Sequence, residues 1–347
     1  MQVRSVDWPA VLRHVISGHD LDEQTAAAVL DEIMQGDTDP VRTAGLLTAL
    51  HTKGESATEI AGFVRTMLAN VAPIDLEGPL VDTCGTGGDG ANTFNVSTCV
   101  ALVIAAAGLR VAKHGNRAAS GACGSADLLE AWGVVIDLPP PAVARCVDEL
   151  GIGFLFARTF HPAMRHVAPI RASLGVPTVF NILGPLSNPA GAEYQVVGVA
   201  DARLAGVIAD ALARLGKRHA LVFRGEDGLD ELTTTGPSRL WDIRDGAVDA
   251  SVFDPADLGI ERADLRDLQG GDVATNVAMA EAVLAGQPGA ASDLVALNAA
   301  AALYVADHVA DLAEGLAQAR PILASGAALD LKDRWVALSR QLEEGSR

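Results

Sequence analysis

Apolar residues recur at helical spacing along the first 71 positions. The segments VDWPAVLRHVIS, DEQTAAAVLDEIMQG, DPVRTAGLLTALHTKG and ATEIAGFVRTMLANV each place apolar side chains three or four residues apart, which predicts four helices. Asp7, Asp22 and Asp39 stand where the first three helices would begin, and such carboxylates cap helix N-termini. The amino-terminal part of the chain is therefore expected to be all-helical.

From Leu80 onward, short apolar runs alternate with helical segments. The runs PLVDTC, LRVAKHG, GVVID, IGFLFA, YQVVGVA and ALVFRGE are predicted strands, and SRLWDIRDGAVDASVF is a predicted hairpin that turns at residues 244–246. From about Thr275 the chain is Ala-rich and helical. This alternation predicts an α/β fold. We expect a large domain with a mainly parallel central sheet flanked by helices, plus a small all-helical N-terminal domain.

Composition narrows the classes of function. The chain has 347 residues, is 49% hydrophobic and carries a formal charge of −18, which argues against nucleic acid or an anionic membrane as a partner. Its four cysteines form no C-x-x-C pair and suit a reducing compartment. The N-terminus lacks the apolar core of a secretory signal, and the run CVALVIAAAGL is too short to span a bilayer. A cytoplasmic protein is expected.

The stretch DTCGTGGDGANTFNVST joins a predicted strand to a helix that starts near Ser97. Glycines permit positive φ and close approach of the backbone to a ligand, and a helix N-terminus attracts anions, typically phosphate. A tight turn followed by a Ser/Thr cap would give the same pattern. Asp89 lies within the loop, and a carboxylate beside a phosphate implies an intervening metal ion or ligand hydroxyl. The pattern therefore suggests a sugar phosphate with Mg²⁺.

A second loop of the same kind, KHGNRAASGACGSADLLEAWG, follows the predicted strand LRVA. Lys113 and Arg117 bring positive charge to an acidic protein, and Ser125 is a predicted cap of the next helix. The alternatives are solvated surface charge for Lys113 and Arg117, and a structural histidine for His114. Two such loops at the carboxyl edge of a parallel sheet suggest a ligand with more than one phosphate.

Two further segments carry candidate chemistry. In EDGLDELTTTGP, Asp230 and Glu231 form an acidic pair just beyond a strand and could bind Mg²⁺ that also touches a diphosphate, although an exposed turn would look alike. In FHPAMRHVAPIRASLG, Arg171 offers a planar fork suited to a carboxylate, and His161 lies nearby in sequence. Surface exposure is the alternative for Arg171.

Taken together, these strings closely resemble the anthranilate phosphoribosyltransferase family, and TVFNILGPLSNPAG, LNAAAALYVAD and SGAAL extend the match to about Leu329. The resemblance implies transfer of phosphoribose from phosphoribosyl pyrophosphate (PRPP) to the amine of anthranilate, with release of pyrophosphate, in tryptophan biosynthesis. Pyrimidine nucleoside phosphorylases share the fold, but they have a Lys-His-Ser loop where this chain has Lys113, His114, Gly115 and Asn116. Such a phosphorylase, or a non-catalytic paralogue that binds nucleic acid through a basic face, is the alternative.

The resemblance also implies roles for individual residues. The acidic pair and Ser97 are expected to bind two Mg²⁺ ions, largely through the pyrophosphate. Lys113 would stabilise the leaving group, while Asn116 and Arg171 would orient the amine, and no general base is assigned. Gly121 departs from the serine of many relatives. The anthranilate contacts expected are Gly85, Asn116, His161 and Arg171. The PRPP contacts expected are Gly85, Gly88, Asp89, Thr93, Asn95, Val96, Ser97, Thr98, Lys113, His114, Gly115, Asn116, Arg117, Ala118, Ala119, Ser120, Gly121 and Ser125.

Domain organisation and assembly follow from the same resemblance. It implies a small helical domain of residues 1–72, joined in space by about 169–187, and a large α/β domain of residues 73–347. It also implies a homodimer formed through the helical domain.

Overall fold

A computed structural model describes residues 6–118 and 123–345. The predicted all-helical N-terminal part is confirmed as α1 (Trp8–Ile16), α2 (Glu23–Gln35), α3 (Pro40–Lys53) and α4 (Ala57–Ala69). The side chains of Asp7, Asp22 and Asp39 accept hydrogen bonds from the first turns of α1, α2 and α3, so all three predicted caps are confirmed. None of the helices in the described ranges combines the length and apolar character needed to cross a membrane.

Seven strands form one sheet in the order β3-β2-β1-β4-β5-β6-β7. The first five strands along the chain run parallel, which confirms the mainly parallel sheet, and β6 and β7 add an antiparallel hairpin through a turn at Asp245 and Gly246. Between β1 and β4 the direction of winding reverses, and ligands of such sheets bind at the carboxyl ends of the strands beside that point. The strands are β1 (Val81–Gly85), β2 (Val111–Gly115), β3 (Ile152–Phe156), β4 (Tyr194–Gly198), β5 (His219–Gly225), β6 (Ser238–Arg244) and β7 (Ala247–Phe253).

Helices cover the sheet, and short 3₁₀ turns occur at Pro162–His166, Pro255–Leu258 and Leu265–Leu268. The remaining helices are α5 (Val96–Ala106), α6 (Ser125–Trp132), α7 (Pro140–Leu150), α8 (Ala157–Phe160), α9 (Ala168–Leu174), α10 (Phe180–Leu186), α11 (Ala205–Arg214), α12 (Val273–Leu284), α13 (Ala290–Val305), α14 (Leu312–Ala324) and α15 (Ala327–Glu344).

One predicted strand is wrong. The segment GVVID is a buried connection between α6 and α7, with Val134 and Ile136 in the core. The backbone N–H of Val135 donates to Ser339 Oγ of α15 at 3.1 Å instead of to a neighbouring strand. A short apolar run between two helices has the same hydrophobic pattern whether it pairs as a strand or is buried as a loop.

Buried apolar residues form two clusters. The larger one joins α5, α6, α7 and α12–α15 to the sheet. The second cluster, which we call the helical core, unites α1–α4 with α10 and α11 and includes Val197, Val222 and Ile243 from the strands β4, β5 and β6. The N-terminal helices therefore share one apolar interior with the sheet rather than enclosing a separate one.

Candidate active site

The glycine-rich loop lies where the sequence predicts it, between the end of β1 at Gly85 and the start of α5 at Val96. Gly87, Gly88 and Gly90 have φ of 67°, 83° and 73°, in the left-handed region that L side chains rarely adopt. Asn95 is the N-cap of α5, but its side chain makes no capping hydrogen bond among the described residues. The N–H of Val96 donates to the carbonyl oxygen of Phe94 at 2.7 Å and that of Thr98 to the carbonyl oxygen of Asn95 at 3.2 Å, so among the first N–H groups of α5 that of Ser97 remains available to an anion.

The acidic pair lies beside this loop. The N–H of Gly87 donates to Asp230 Oδ2 at 2.8 Å. A Cβ at Gly85 would lie 2.3 Å from Asp230 Oδ2, and one at Gly198 only 1.6 Å from the Asp230 carbonyl oxygen. The glycines that end the adjacent strands β1 and β4 thus form a cradle that any side chain would fill. The structure brings Asp230 to the carboxyl edge of the sheet at the point where the strand order reverses.

Burial and mutual repulsion perturb the carboxyl groups. Burial, followed by the nearby Asp89 carboxylate, raises the pKa of Asp230 to about 6. Burial and the charge of Asp230 raise the pKa of Glu231 well above its usual range. Asp89 Oδ1 accepts from the N–H of Ala91 at 3.0 Å, whereas its Oδ2 is buried without a hydrogen-bond partner among the described residues. Buried carboxylates with an orphaned oxygen fit a divalent cation.

Lys113 is buried in β2, so the alternative of solvated surface charge is wrong for this residue. Its ammonium donates to the carbonyl oxygen of Thr83 at 2.6 Å and to Ser97 Oγ at 3.2 Å. Burial lowers the pKa of Lys113, while the charges of Asp82 and Glu231 oppose that shift. A cation is therefore held directly beneath the start of α5, next to the acidic pair.

Arg117 is the exception among the predicted basic contacts. Its exposed guanidinium is 2.9 Å from Asp127 and 2.8 Å from Glu130. Those carboxylates raise the pKa of Arg117 and neutralise its charge. For Arg117 the structure favours the surface alternative.

The predicted cap at Ser125 is wrong, because Gly124 occupies the N-cap position and Ser125 is the first residue of α6. The Ser125 hydroxyl instead donates to the carbonyl oxygen of Asn116 at 3.3 Å. Asp127 Oδ2 accepts from the N–H groups of Ala118 and Gly124, which closes the second loop. Three predicted PRPP contacts lie outside the described residues: Ala119, Ser120 and Gly121.

His114 and His161 pack against each other with ring centroids 5.0 Å apart. His114 Nδ1 lies 3.0 Å from the carbonyl oxygen of Gly184, and its backbone N–H donates to Asp82 Oδ1 at 3.1 Å. Burial lowers the pKa of His114 to about 4 and, with His114 beside it, that of His161 to about 3. Both imidazoles are neutral at pH 7, so they provide ring surface without positive charge.

Arg171, in α9, is half-buried and has no carboxylate partner among the described residues. Its guanidinium carbon lies 5.6 Å from the centre of the Phe180 ring, and Nη2 donates to Asn181 Oδ1 at 3.3 Å. Burial lowers the pKa of Arg171. A stacked, partly desolvated guanidinium without an anion is suited to a ligand carboxylate.

Two buried asparagines that the sequence analysis did not single out contact these loops. Asn276 of α12 donates to Asn95 Oδ1 at 3.0 Å and accepts from the N–H of Gly271, while Asn95 donates to the carbonyl oxygen of Cys123. Asn298 of α13 contacts the segment that follows the acidic pair. The available sequence signal was a single amide in each of two mainly apolar helices.

Sequence comparisons place the chain among known proteins. Residues 77–329 match the profile of the glycosyl transferase family, a/b domain, and residues 9–71 match that of the glycosyl transferase family, helical bundle domain. The chain is 54% identical to anthranilate phosphoribosyltransferase of Roseiflexus sp. over 94% of this chain and 96% of that one. It is 50% identical to the enzyme of the same name from Arthrobacter sp. over 96% of each.

Solved structures agree with these matches. Anthranilate phosphoribosyltransferase from Thermus thermophilus superposes with a TM-score of 0.90 at 49% identity, covering 95% of this chain and 99% of that one. The Saccharomyces cerevisiae enzyme in complex with PRPP and Mg gives a TM-score of 0.89 at 27% identity, covering 98% and 100%.

Proposed function

This chain belongs to the anthranilate phosphoribosyltransferase family, and we propose that it transfers 5-phosphoribose from PRPP to the amine of anthranilate. The reaction releases pyrophosphate and belongs to tryptophan biosynthesis. The observation that carries the proposal is the placement of Asp230 between Gly85 and Gly198, where it accepts from the N–H of Gly87 in the glycine loop that leads into α5. A doubly phosphorylated sugar with a divalent cation matches that combination of free N–H groups and carboxylates.

PRPP lies along the two loops in this proposal. The N–H groups of the glycine loop and of Ser97, in the first turn of α5, surround the pyrophosphate, and Asp89 with Thr93 lies beside the ribose. The ammonium of Lys113, fixed beneath Ser97, offsets negative charge as the pyrophosphate departs. The second loop, through Ser125, completes the site. Arg117 contributes less charge than its type suggests, because Asp127 and Glu130 neutralise it.

Magnesium is the cation that we propose for the acidic pair, since a yeast relative is known in complex with PRPP and Mg. We assign two ions to Asp230, Glu231 and Ser97, with pyrophosphate oxygens as the other ligands. Within the described residues no three His, Cys, Asp or Glu side chains form a complete metal site. Bound Mg²⁺ supplies positive charge to the leaving pyrophosphate. The protein's part is to hold the carboxylates in place.

Anthranilate is placed between the loops and α9. Arg171 binds its carboxylate, while Asn116 and Gly85 orient the amine toward the ribose. His161 and His114 are neutral and form apolar wall surface. An aromatic amine is already neutral at pH 7, so binding in the correct orientation replaces a general base.

We also propose the organisation of the whole molecule. Residues 1–72 with about 169–187 form the helical domain, and residues 73–347 form the α/β domain. Ile16, Val41 and Val176 expose 72%, 79% and 52% of their surfaces on the helical part, which supports a homodimer through this domain. We propose that the protein acts on small molecules in the cytoplasm. The net charge of −18 argues against a nucleic-acid or membrane partner, and the four free thiols suit a reducing compartment.

The decisive test is fluorometric. Anthranilate fluorescence is expected to fall when the protein is added with PRPP and Mg²⁺, and to stay constant when any one of these is omitted. Release of a free base from pyrimidine nucleosides with phosphate, without loss of anthranilate fluorescence, would instead establish a nucleoside phosphorylase.

A further inference from the structure

We propose that Asn298 is a positioning residue that holds the acidic pair in the geometry needed for metal-dependent binding of PRPP. The proposal rests on the Mg²⁺ role given above to Asp230 and Glu231. Asn298 Oδ1 accepts from the N–H of Leu232 at 3.0 Å, and its Nδ2 donates to the carbonyl oxygen of Leu232 at 2.9 Å. One side chain therefore fixes both polar backbone groups of the residue that directly follows the pair.

The surroundings of Asn298 make this contact specific. The amide is 2% exposed in the middle of α13, between residues of the large apolar cluster. A buried amide in such surroundings is unfavourable unless its hydrogen bonds are made. Here Nδ2 also donates to the carbonyl oxygen of Leu294, so both donor hydrogens and the acceptor are used. Leu232 and Asn298 are 66 positions apart, so the contact ties the acidic segment to a distant rigid helix.

A second group of hydrogen bonds, made by Asp227, lies within the same segment. Asp227 Oδ1 accepts from the N–H of Leu229 at 3.1 Å, and its Oδ2 accepts from the hydroxyls of Thr233 and Thr235. These bonds keep residues 227–235 compact, but they lie wholly within the segment. Together with the bonds from the N–H of Gly87 to Asp230 and from the N–H of Gly225 to the carbonyl oxygen of Leu229, the link to α13 sets where the compact segment lies relative to the sheet.

The acidic pair needs such a link because two like charges follow each other along the chain and Asp230 is buried against Gly85 and Gly198. A shift of the Leu232 backbone moves Glu231 and Asp230 with it. Hydrogen-bonding partners behind metal ligands contribute to affinity in this way, and their loss weakens metal binding by about 10- to 100-fold.

The test uses the full-length protein and two readouts. Asn298→Ala is expected to raise the Mg²⁺ concentration for half-maximal rate by about 10- to 100-fold, with the KM for anthranilate unchanged. Calorimetric titration of PRPP at fixed Mg²⁺, without anthranilate, is expected to give a comparable loss of affinity. Asn298→Leu keeps similar bulk in the apolar surroundings, so it serves as a second variant if the alanine variant does not fold.

Asn188→Ala is the matched control. Asn188 is 1% exposed and makes two backbone bonds of the same kind, to the carbonyl oxygen of Ala112 and from the N–H of Ala190. It is expected to lose stability without changing the Mg²⁺ requirement. Asn298 variants that keep the wild-type Mg²⁺ requirement and PRPP affinity, or that change both KM values equally, would overturn the inference. If Asp230→Asn does not alter the Mg²⁺ requirement either, the metal assignment itself is wrong.

Discussion

Replacing Gly198 by alanine tests the close contact on which the candidate site depends. The added Cβ would lie 1.6 Å from the carbonyl oxygen of Asp230, and real Cβ contacts below 3.0 Å are essentially never observed. The backbone of Asp230 or of β4 must therefore move by about 1.4 Å. Overpacking of this kind costs about 1–3 kcal/mol of folding free energy, and a misplacement of about 1 Å near reacting groups costs roughly 100-fold in rate. We expect both effects.

Two measurements and a control separate these effects. Urea unfolding measures the stability change, and the fluorescence assay with anthranilate, PRPP and Mg²⁺ measures turnover. Gly236→Ala is the control, because Gly236 follows the same acidic segment and a Cβ there meets nothing within 4 Å. A Gly198→Ala protein with wild-type stability and wild-type turnover would refute the steric argument.

Five further predictions concern the charged groups of the site and one exposed apolar side chain. Replacing Asp230 by Asn together with Glu231 by Gln should lower turnover at least about tenfold, which is about 1.4 kcal/mol of barrier, with partial recovery at high Mg²⁺; full activity at low Mg²⁺ would contradict the assignment. The affinity for Mg²⁺ with PRPP should fall as pH drops through about 6, where Asp230 takes up a proton, and calorimetry from pH 5 to 8 would detect a flat profile if this is wrong. Without metal, the stability of the fold should change with pH in the opposite direction. Because the pKa of Asp230 is raised in the folded state, the bound proton stabilises the fold at low pH, and this stabilisation is lost as pH rises through about 6. Melting curves compared with those of Asp230→Asn should record the loss. Arg171→Lys should raise the KM for anthranilate roughly 10- to 100-fold and leave that for PRPP nearly unchanged, since lysine lacks the planar fork; equal changes would make Arg171 structural. Ile16→Glu should yield a folded monomer by light scattering, and an unchanged dimer would place the interface elsewhere.

Features set by nearby residues could be predicted from the sequence. The three aspartate caps, the hairpin turn at Asp245 and Gly246 and the glycine loop between β1 and α5 each depend on side chains within a few positions. Local hydrogen bonding and φ preferences are properties of short segments, so their residue patterns indicate them directly. The parallel sheet followed from the alternation of strands and helices.

Features that depend on distant partners could not be predicted. Ser125 was a plausible cap, but Gly124 occupies that position and Asp127 closes the loop. Lys113 was a predicted PRPP contact with surface charge as the alternative, and its burial against Thr83 and Ser97 depends on β1 and α5, which lie apart from it in the chain. The contact of Asn298 with Leu232 spans 66 positions, and no local pattern marks its partner. In each case tertiary packing determined the environment of a residue whose type the sequence gives but whose neighbours it does not.

The shared interior of the N-terminal helices has a consequence for protein synthesis. Val197, Val222 and Ile243 complete the helical core, yet they are made about 130 to 175 residues after Met67. At about 5–20 residues per second, the first four helices emerge from the ribosome roughly 6–35 s before their apolar partners exist. During that interval the apolar surface that later packs against strands β4, β5 and β6 is exposed, so this segment of the nascent chain benefits from chaperone protection. Its early helices finish folding only after the central strands have been translated.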